Sequence, residues 1–228
     1  MDQSMYNDGK YLENNPNWHE EDSPYKASLI LDIISKCDID FHSIADVGCG
    51  SGRVAEIISQ RLPDVSVYGF DISADASSFW QQRSGPEYHQ EDFLTSDRHV
   101  DLSLCLDVFE HVEDYYAFLR LLRNRSNYVL FNIPLDLSIL KAAGPGIKRA
   151  RRVTGHLHYF NDYTALETLK DCGYEVLHSK LATPVMSTLP RNPYQFVLAL
   201  PRIVLSLISK RFCARTIGGY SLAVLVKC

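Results

Sequence analysis

The chain has 228 residues, 46% of them hydrophobic and 22% charged, with a formal net charge of -5. That length fits one domain with additions, or two small ones, and buries a core that needs neither disulfide nor metal. The composition excludes collagen, coiled coil and wholesale disorder. The net charge hides a split: residues 1–140 carry 10 Lys/Arg against 24 Asp/Glu, and residues 141–228 carry 13 against 4. Such asymmetry points to an anionic partner for the basic end.

The six cysteines (Cys37, Cys49, Cys105, Cys172, Cys213 and Cys228) include no CxxC pair, and no Cys/His cluster has zinc spacing. No disulfide framework and no metal are expected. The start, MDQSMYNDGKYLENN, is acidic and polar rather than signal-like, which with free thiols gives an expectation of the cytoplasm. The longest apolar run, Phe196–Ile208, contains Pro201 and Arg202 and falls short of the ~20 residues of a membrane span.

Residues 1–25 read as a polar lead-in with scattered aromatics. Ser23-Pro24 then suits a helix start, serine capping and proline at the first helical position, with Leu29, Ile30, Ile33 and Ile34 on one stripe up to Cys37. An alternation follows. Strands are expected at Ser43–Val47, Val65–Phe70, Glu87–Gln90, Val100–Leu106 and Tyr128–Ile133. Helices are expected at Arg53–Leu62, Ala74–Arg83 and Tyr115–Arg125. This rhythm implies right-handed crossovers and a parallel sheet covered on both faces. Residues 134–155 break it with Pro134, Gly144, Pro145, Gly146 and Gly155. Asn161 or Asp162 then caps a helix to Cys172, with Gly173 ending it, and Glu175–Leu181 is a strand. Residues 182–218 read as irregular, before a last strand at Tyr220–Val226. No domain boundary is visible, so 1–228 reads as one domain, with 134–160 and 182–218 as insertions into it.

The informative segment is Ile44-Ala-Asp-Val-Gly-Cys-Gly-Ser-Gly52. A strand delivers the chain into a glycine turn and a helix leaves it. Glycines let backbone approach a ligand and allow positive φ, while the helix start offers N–H groups. Dinucleotide binders use GxGxxG. Here the spacing is GxGxG (Gly48, Gly50, Gly52), and Asp46 lies in the strand just before it. A carboxylate there repels pyrophosphate and suits a cationic ligand.

These residues resemble the first motif of class I S-adenosylmethionine-dependent methyltransferases. The resemblance implies Asp46 near the amino-acid part of the cofactor S-adenosylmethionine, with Gly48, Cys49, Gly50 and Gly52 around it. It implies that Asp71, 21 positions after Gly50 and followed by Ile72, takes the ribose hydroxyls. Asp92 in HQEDF would accept from the adenine amino group, with Phe93 beside the ring. Leu106 and Asp107, with Val108, Glu110, His111 and Val112 of LCLDVFEHVED, would line cofactor and face substrate. GHLHYFNDYTALETLKDCGYEV is similar to the subset related to ubiquinone-type and bacterial small-molecule O-methyltransferases. The implied fold is a doubly wound, seven-stranded, mainly parallel α/β sheet with its last strand antiparallel. The implied reaction is methyl transfer to a small molecule, most readily at a hydroxyl of a sugar, phenol, quinol or lipid-linked metabolite.

Each residue also has a plainer reading. Asp71 can cap the following helix, Asp92 can be a turn residue, Cys49 can be packing, and Glu110-His111 can cap the helix at Tyr115. His111 suits a general base, with His156 and His158 as rivals. Trp18 and Lys26 can form a lid or simply pack. Lys141, Lys148, Arg149, Arg151 and Arg152 can bind an anionic group on the acceptor or be solvated. A helix starting at Pro201 has an apolar stripe of Ile203, Val204, Leu207, Ile208 and Phe212, with Arg202, Ser206, Ser209 and Lys210 off it. That stripe suits core or lid, dimer contact, or peripheral membrane contact through 194–212. Nucleic acid is disfavoured, since the acidic half repels phosphate; the state expected is monomer or homodimer.

Overall fold

The computed structural model describes residues 17–18, 20–183 and 193–228. Seven strands form one sheet in the order β3-β2-β1-β4-β5-β7-β6. They are β1 Ser43–Val47, β2 Ser66–Phe70, β3 Glu87–His89, β4 Val100–Leu106, β5 Ser126–Pro134, β6 Glu175–Ala182 and β7 Ser221–Lys227. β7 runs antiparallel to both β5 and β6, and the other pairings are parallel. The expected sheet is therefore observed.

Alternation along each strand builds two cores. Ala45, Val47, Cys105, Phe131 and Val224 face one side, where Leu119, Leu122, Leu169 and Cys213 cover them. Ile44, Leu102, Leu104, Leu130 and Leu225 face the other, against Ile30, Ile33, Ala55 and Ile58. The covering helices are α1 Ser23–Ile34, α2 Arg53–Arg61, α4 Tyr115–Arg123, α7 Asp162–Asp171 and α9 Lys210–Thr216. Strands buried on both faces read as near-continuous apolar runs, which is why β4 and β5 stand out in the sequence.

Several details differ from expectation. Ser23 is the first helical residue and Asp22 sits at the cap position without capping the helix through its side chain, so proline, not serine, sets this start. The helix expected over 74–83 is two pieces, α3 Ala74–Ser77 and a single turn at Trp80–Gln82. Trp80 Nε1 donates to the Gly50 carbonyl at 2.9 Å and Arg83 Nε to the Ser51 carbonyl at 3.1 Å, so this stretch bends to buttress the glycine turn. The segment after β5 contains α5 Ile139–Ala143, α6 Gly146–Arg149 and a π-helical turn at Ala150–Thr154. Asn161 caps α7 through a reciprocal bond with Thr164, as the sequence suggested.

The segment 182–218 is not wholly irregular. Helix α8 spans Pro193–Ile208 with Pro201 inside it rather than at its start. Arg202, expected off the apolar stripe, is buried and donates Nε to the Gly218 carbonyl at 3.0 Å. The stripe itself faces outward: Leu207 is 82% and Ile208 77% exposed. Among the described residues, no helix is long and apolar enough to cross a membrane. Most of the polar lead-in, residues 1–16, lies outside the described residues.

Candidate functional site

The site lies at the carboxyl ends of β1, β2, β4 and β5, where an open α/β sheet places its ligands. A cavity of about 800 Å³ runs there, from the glycine turn to the segment after β5.

The turn is held from several sides. Gly48, Gly50 and Gly52 all have positive φ (74°, 53° and 75°). A Cβ on Gly48 would lie 2.7 Å from Val108 Cγ2, and one on Gly52 2.6 Å from the Tyr88 ring. Gly48 and Cys49 donate their N–H groups to the Phe70 carbonyl at 2.8 and 3.0 Å. Tyr88 donates its hydroxyl to the Gly52 carbonyl at 2.8 Å and stacks on Trp80. Gly48, Cys49, Gly50 and Ser51 line the cavity, whereas Gly52 lies behind as the left-handed cap of α2. The Cys49 thiol is pushed up by burial and by Asp46, so it is inert packing in the turn.

Two carboxylates, Asp46 buried and Asp71 half-buried, face this end. Asp46 is 2% exposed, and burial, reinforced by Asp71 and opposed by Lys26, raises its carboxyl to about 7. Asp71 is likewise raised by burial, against hydrogen bonds from Ser73 and Gly50. Its Oδ2 accepts from Gly50 N–H and its Oδ1 from Ser73 N–H. Ser73 provides the cap of α3, so Asp71 is not itself that cap. Ile72, Asp92, Phe93 and Leu106 also line the cavity. Asp92 caps the short turn Phe93–Thr95 through Leu94 N–H at 2.9 Å, and Phe93 is buried against Phe70.

The floor after β4 is strained. Asp107 has φ +58°, unusual for a residue with a side chain. Its Oδ1 accepts from Asn132 Nδ2 at 2.8 Å and its Oδ2 pairs with Lys26 Nζ at 2.6 Å. Lys26 thus crosses from α1 to the end of β4, and Trp18 lies against Gly50. Both residues line the cavity.

The far end is a cluster of acids and histidines. Asp114, not Glu110-His111, caps α4. Glu110 is fully buried, and neither of its carboxylate oxygens has a hydrogen-bond partner among the described residues. Burial and Asp107 push its carboxyl well up. His111 Nε2 lies 3.8 Å from Glu110 Oε1, and burial and His156 lower the His111 imidazole to about 4. His156 meets the His111 ring edge to face at 4.8 Å and donates Nδ1–H to Asp136 Oδ2 at 2.5 Å. Burial opposes ionisation of Asp136, but His156 and Lys141 outweigh it and hold the carboxyl below the usual range. The ligand atoms of Glu110, His111 and His156 lie within 4.8 Å of one another, a grouping that sequence spacing did not indicate.

His158 is corrected: its Nε2 is bonded to the Val112 carbonyl at 3.0 Å, its ring packs on Tyr115, and it does not line the cavity. Of the five clustered cations, only Lys141 lines the cavity, paired to Asp136, while Lys148, Arg149, Arg151 and Arg152 do not. The sequence reading missed Asp136 and Asn132. Asp136 had one signal, being the last acid before the basic segment.

A model of the methyltransferase domain family matches residues 18–179. The ubiquinone biosynthesis O-methyltransferase of Rickettsia felis is 29% identical over 104 residues, 42% of this chain; the chain spans only 43% of that relative's length. Among solved structures, the plantazolicin methyltransferase in complex with a monoazolic desmethyl analogue and S-adenosylhomocysteine is similar. It has a TM-score of 0.64 at 17% identity, covering 99% of this chain and 93% of that one. The magnesium protoporphyrin IX methyltransferase of Synechocystis PCC 6803, with bound S-adenosylhomocysteine, has a TM-score of 0.57 at 15% identity, over 92% and 83%. These structural likenesses support the sheet order and its antiparallel strand. The glycine turn, the acid pair Asp46 and Asp71 beside it and the match over residues 18–179 make this chain a member of the class I S-adenosylmethionine-dependent methyltransferase family.

Proposed function

We propose that the protein transfers a methyl group from S-adenosylmethionine to a hydroxyl of a small molecule. The observation that carries this reading is one continuous cavity with Asp46 and Asp71 at one end and His111 and His156 at the other. The residues fit the cofactor chemically. Asp46 is a buried carboxyl raised to about 7, whose ionised form is favoured by a cation beside it. Asp71, at the end of β2, is placed for hydroxyls, and Ile72, Asp92, Phe93 and Leu106 supply the wall for a flat ring. When bound, the cofactor supplies an activated methyl on a sulfonium.

The protein's part is mainly to hold donor and acceptor close and in line. Lys26 fixes Asp107, and Asn132 holds its other oxygen, so the floor between the two ends is rigid. The acceptor's proton leaves at the far cluster. His111 is neutral near pH 7, and His156 is oriented by Asp136, an arrangement suited to proton removal. The test is calorimetry with S-adenosylhomocysteine and NAD, followed by methyl transfer to a panel of phenols, quinols and sugars. Binding of NAD alone would overturn the reading.

A second feature favours a lipid-linked or membrane-resident acceptor. Val197, Leu200, Val204, Leu207 and Ile208 of α8 are exposed, and Lys210 and Arg211 follow them. An outward apolar stripe with basic neighbours suits an anionic bilayer surface. The segments 134–160 and 182–218 form the acceptor side in this reading.

A further inference from the structure

Three acids lie under the far end of the cavity, and their charges are matched unequally. Asp107 has Lys26 and Asn132. Asp136 has Lys141 and His156. Glu110, more deeply buried than either, has no hydrogen-bond donor on either oxygen among the described residues. Leaving a buried carboxyl without partners is costly, and such a group in a native protein calls for an occupant.

The groups around Glu110 are arranged as metal ligands are. His156 gives Nδ1–H to Asp136, which fixes the tautomer and leaves Nε2 as the remaining nitrogen to offer. His111 is held by the Gly155 backbone and keeps Nε2 3.8 Å from Glu110 Oε1. One carboxylate and two imidazoles is a donor set suited to zinc, cobalt, nickel or iron(II), and unsuited to magnesium or calcium. The ligand atoms lie within 4.8 Å of one another. Bonds of about 2.1 Å require them to be roughly 3.4 Å apart, so small side-chain rotations close the site. His111 and His156 line the cavity while Glu110 lies behind them, so the open coordination positions face the acceptor.

We infer that Glu110, His111 and His156 bind one divalent transition-metal ion, with Asp136 orienting His156 from outside. The ion offers its open position to the acceptor's oxygen. The hydroxyl proton then passes to solvent water as the oxygen settles on the cation, and the histidines act as ligands instead of bases. This rests on the methyl-transfer reading of the same site and gives the proton-releasing role to the ion in place of the two histidines; the binding itself needs neither cofactor nor acceptor.

The test uses the full chain, freed of metal by chelator and titrated with Co²⁺ as a spectroscopic probe. One equivalent should bind with visible d–d bands, and Zn²⁺ should displace it. Glu110→Gln and His156→Ala should each abolish the bands, and Asp136→Asn should weaken binding by about 10–100-fold. His158→Ala, outside the cavity, should bind normally. Binding of S-adenosylhomocysteine by the variants, at the other end of the cavity, shows that they are folded. No band at one equivalent, or bands that persist in Glu110→Gln or His156→Ala, would overturn the inference and leave the methyl-transfer reading standing.

Discussion

The backbone N–H of Gly50 donates to Asp71 Oδ2 at 2.8 Å, across 21 residues of chain. Oδ1 of the same carboxylate accepts from Ser73 N–H at 2.9 Å. Asp71 therefore shapes the glycine turn and the start of α3 before any ligand arrives. Asp71→Asn turns an amide NH₂ toward one of these N–H groups. A buried donor left without acceptor costs about 1–3 kcal/mol. The melting temperature should fall, and affinity for S-adenosylhomocysteine should fall by about tenfold or more, equivalent to about 1.4 kcal/mol. Calorimetry and a melting curve check both.

Asp46 gives a pH dependence with a definite sign. Burial, with Asp71, raises its folded value from 3.8 to about 7. Its contribution to the stability of the ligand-free protein is therefore full below about pH 4 and is lost as the pH rises through 7. A ligand that sets its amino-acid ammonium beside Asp46 acts in the opposite sense, because it needs the ionised form. Affinity for S-adenosylhomocysteine should rise by about tenfold per pH unit below 7 and level off above it. In Asp46→Asn this dependence should vanish, and a titration across this range decides it.

Gly48→Ala meets two obstacles that can be separated. The added Cβ comes within 2.7 Å of Val108 Cγ2, and φ is 74°. The left-handed backbone alone costs roughly 1–2 kcal/mol. The double substitution with Val108→Ala should recover the loss due to the clash but not that due to the backbone. Chemical denaturation of both single variants and the double variant measures the two parts.

Asp136 holds His156 at 2.5 Å, so either change should strike turnover rather than cofactor binding. His156→Ala and Asp136→Asn should lower kcat by about 10²–10⁴-fold at unchanged affinity for the cofactor product. His158→Ala should behave as the parent. Initial-rate kinetics on an identified acceptor would show it.

Leu207 and Ile208 are almost fully exposed at the end of α8. If the stripe meets a bilayer, the protein should pellet with anionic vesicles at low salt and remain in solution with neutral ones. Leu207→Glu with Ile208→Glu should prevent pelleting without altering the melting temperature. Absence of pelleting in the parent protein would remove the lipid-surface reading.

The glycine-turn end of the cavity was legible in the sequence because its groups are local. Asp46, Gly48 and Gly50 sit on one strand and its turn, and β4 is a seven-residue strand buried at all positions but Asp101. The acceptor end was not, because it is assembled from β4, β5 and the segment beyond. Glu110 and His156 meet only through tertiary folding, and no spacing rule joins them. What faces the apolar stripe of α8 was left open for a related reason. Periodicity locates an apolar stripe but not what covers it, and the buried Arg202 shows a helix turning a charged side inward.

Ala182 and Ser221 are register partners at the ends of β6 and β7. Residues 183–220, which include α8 and α9, therefore leave and rejoin the sheet within one strand spacing. Closing a longer loop between fixed anchors adds little entropy cost per residue. Changes in α8 therefore bear less on the strands that carry Asp46, Asp71 and Asp107 than changes in α9, whose Cys213 and Ala214 lie in the core against the sheet. Exchanging α8 between members of the family should leave cofactor affinity to the host.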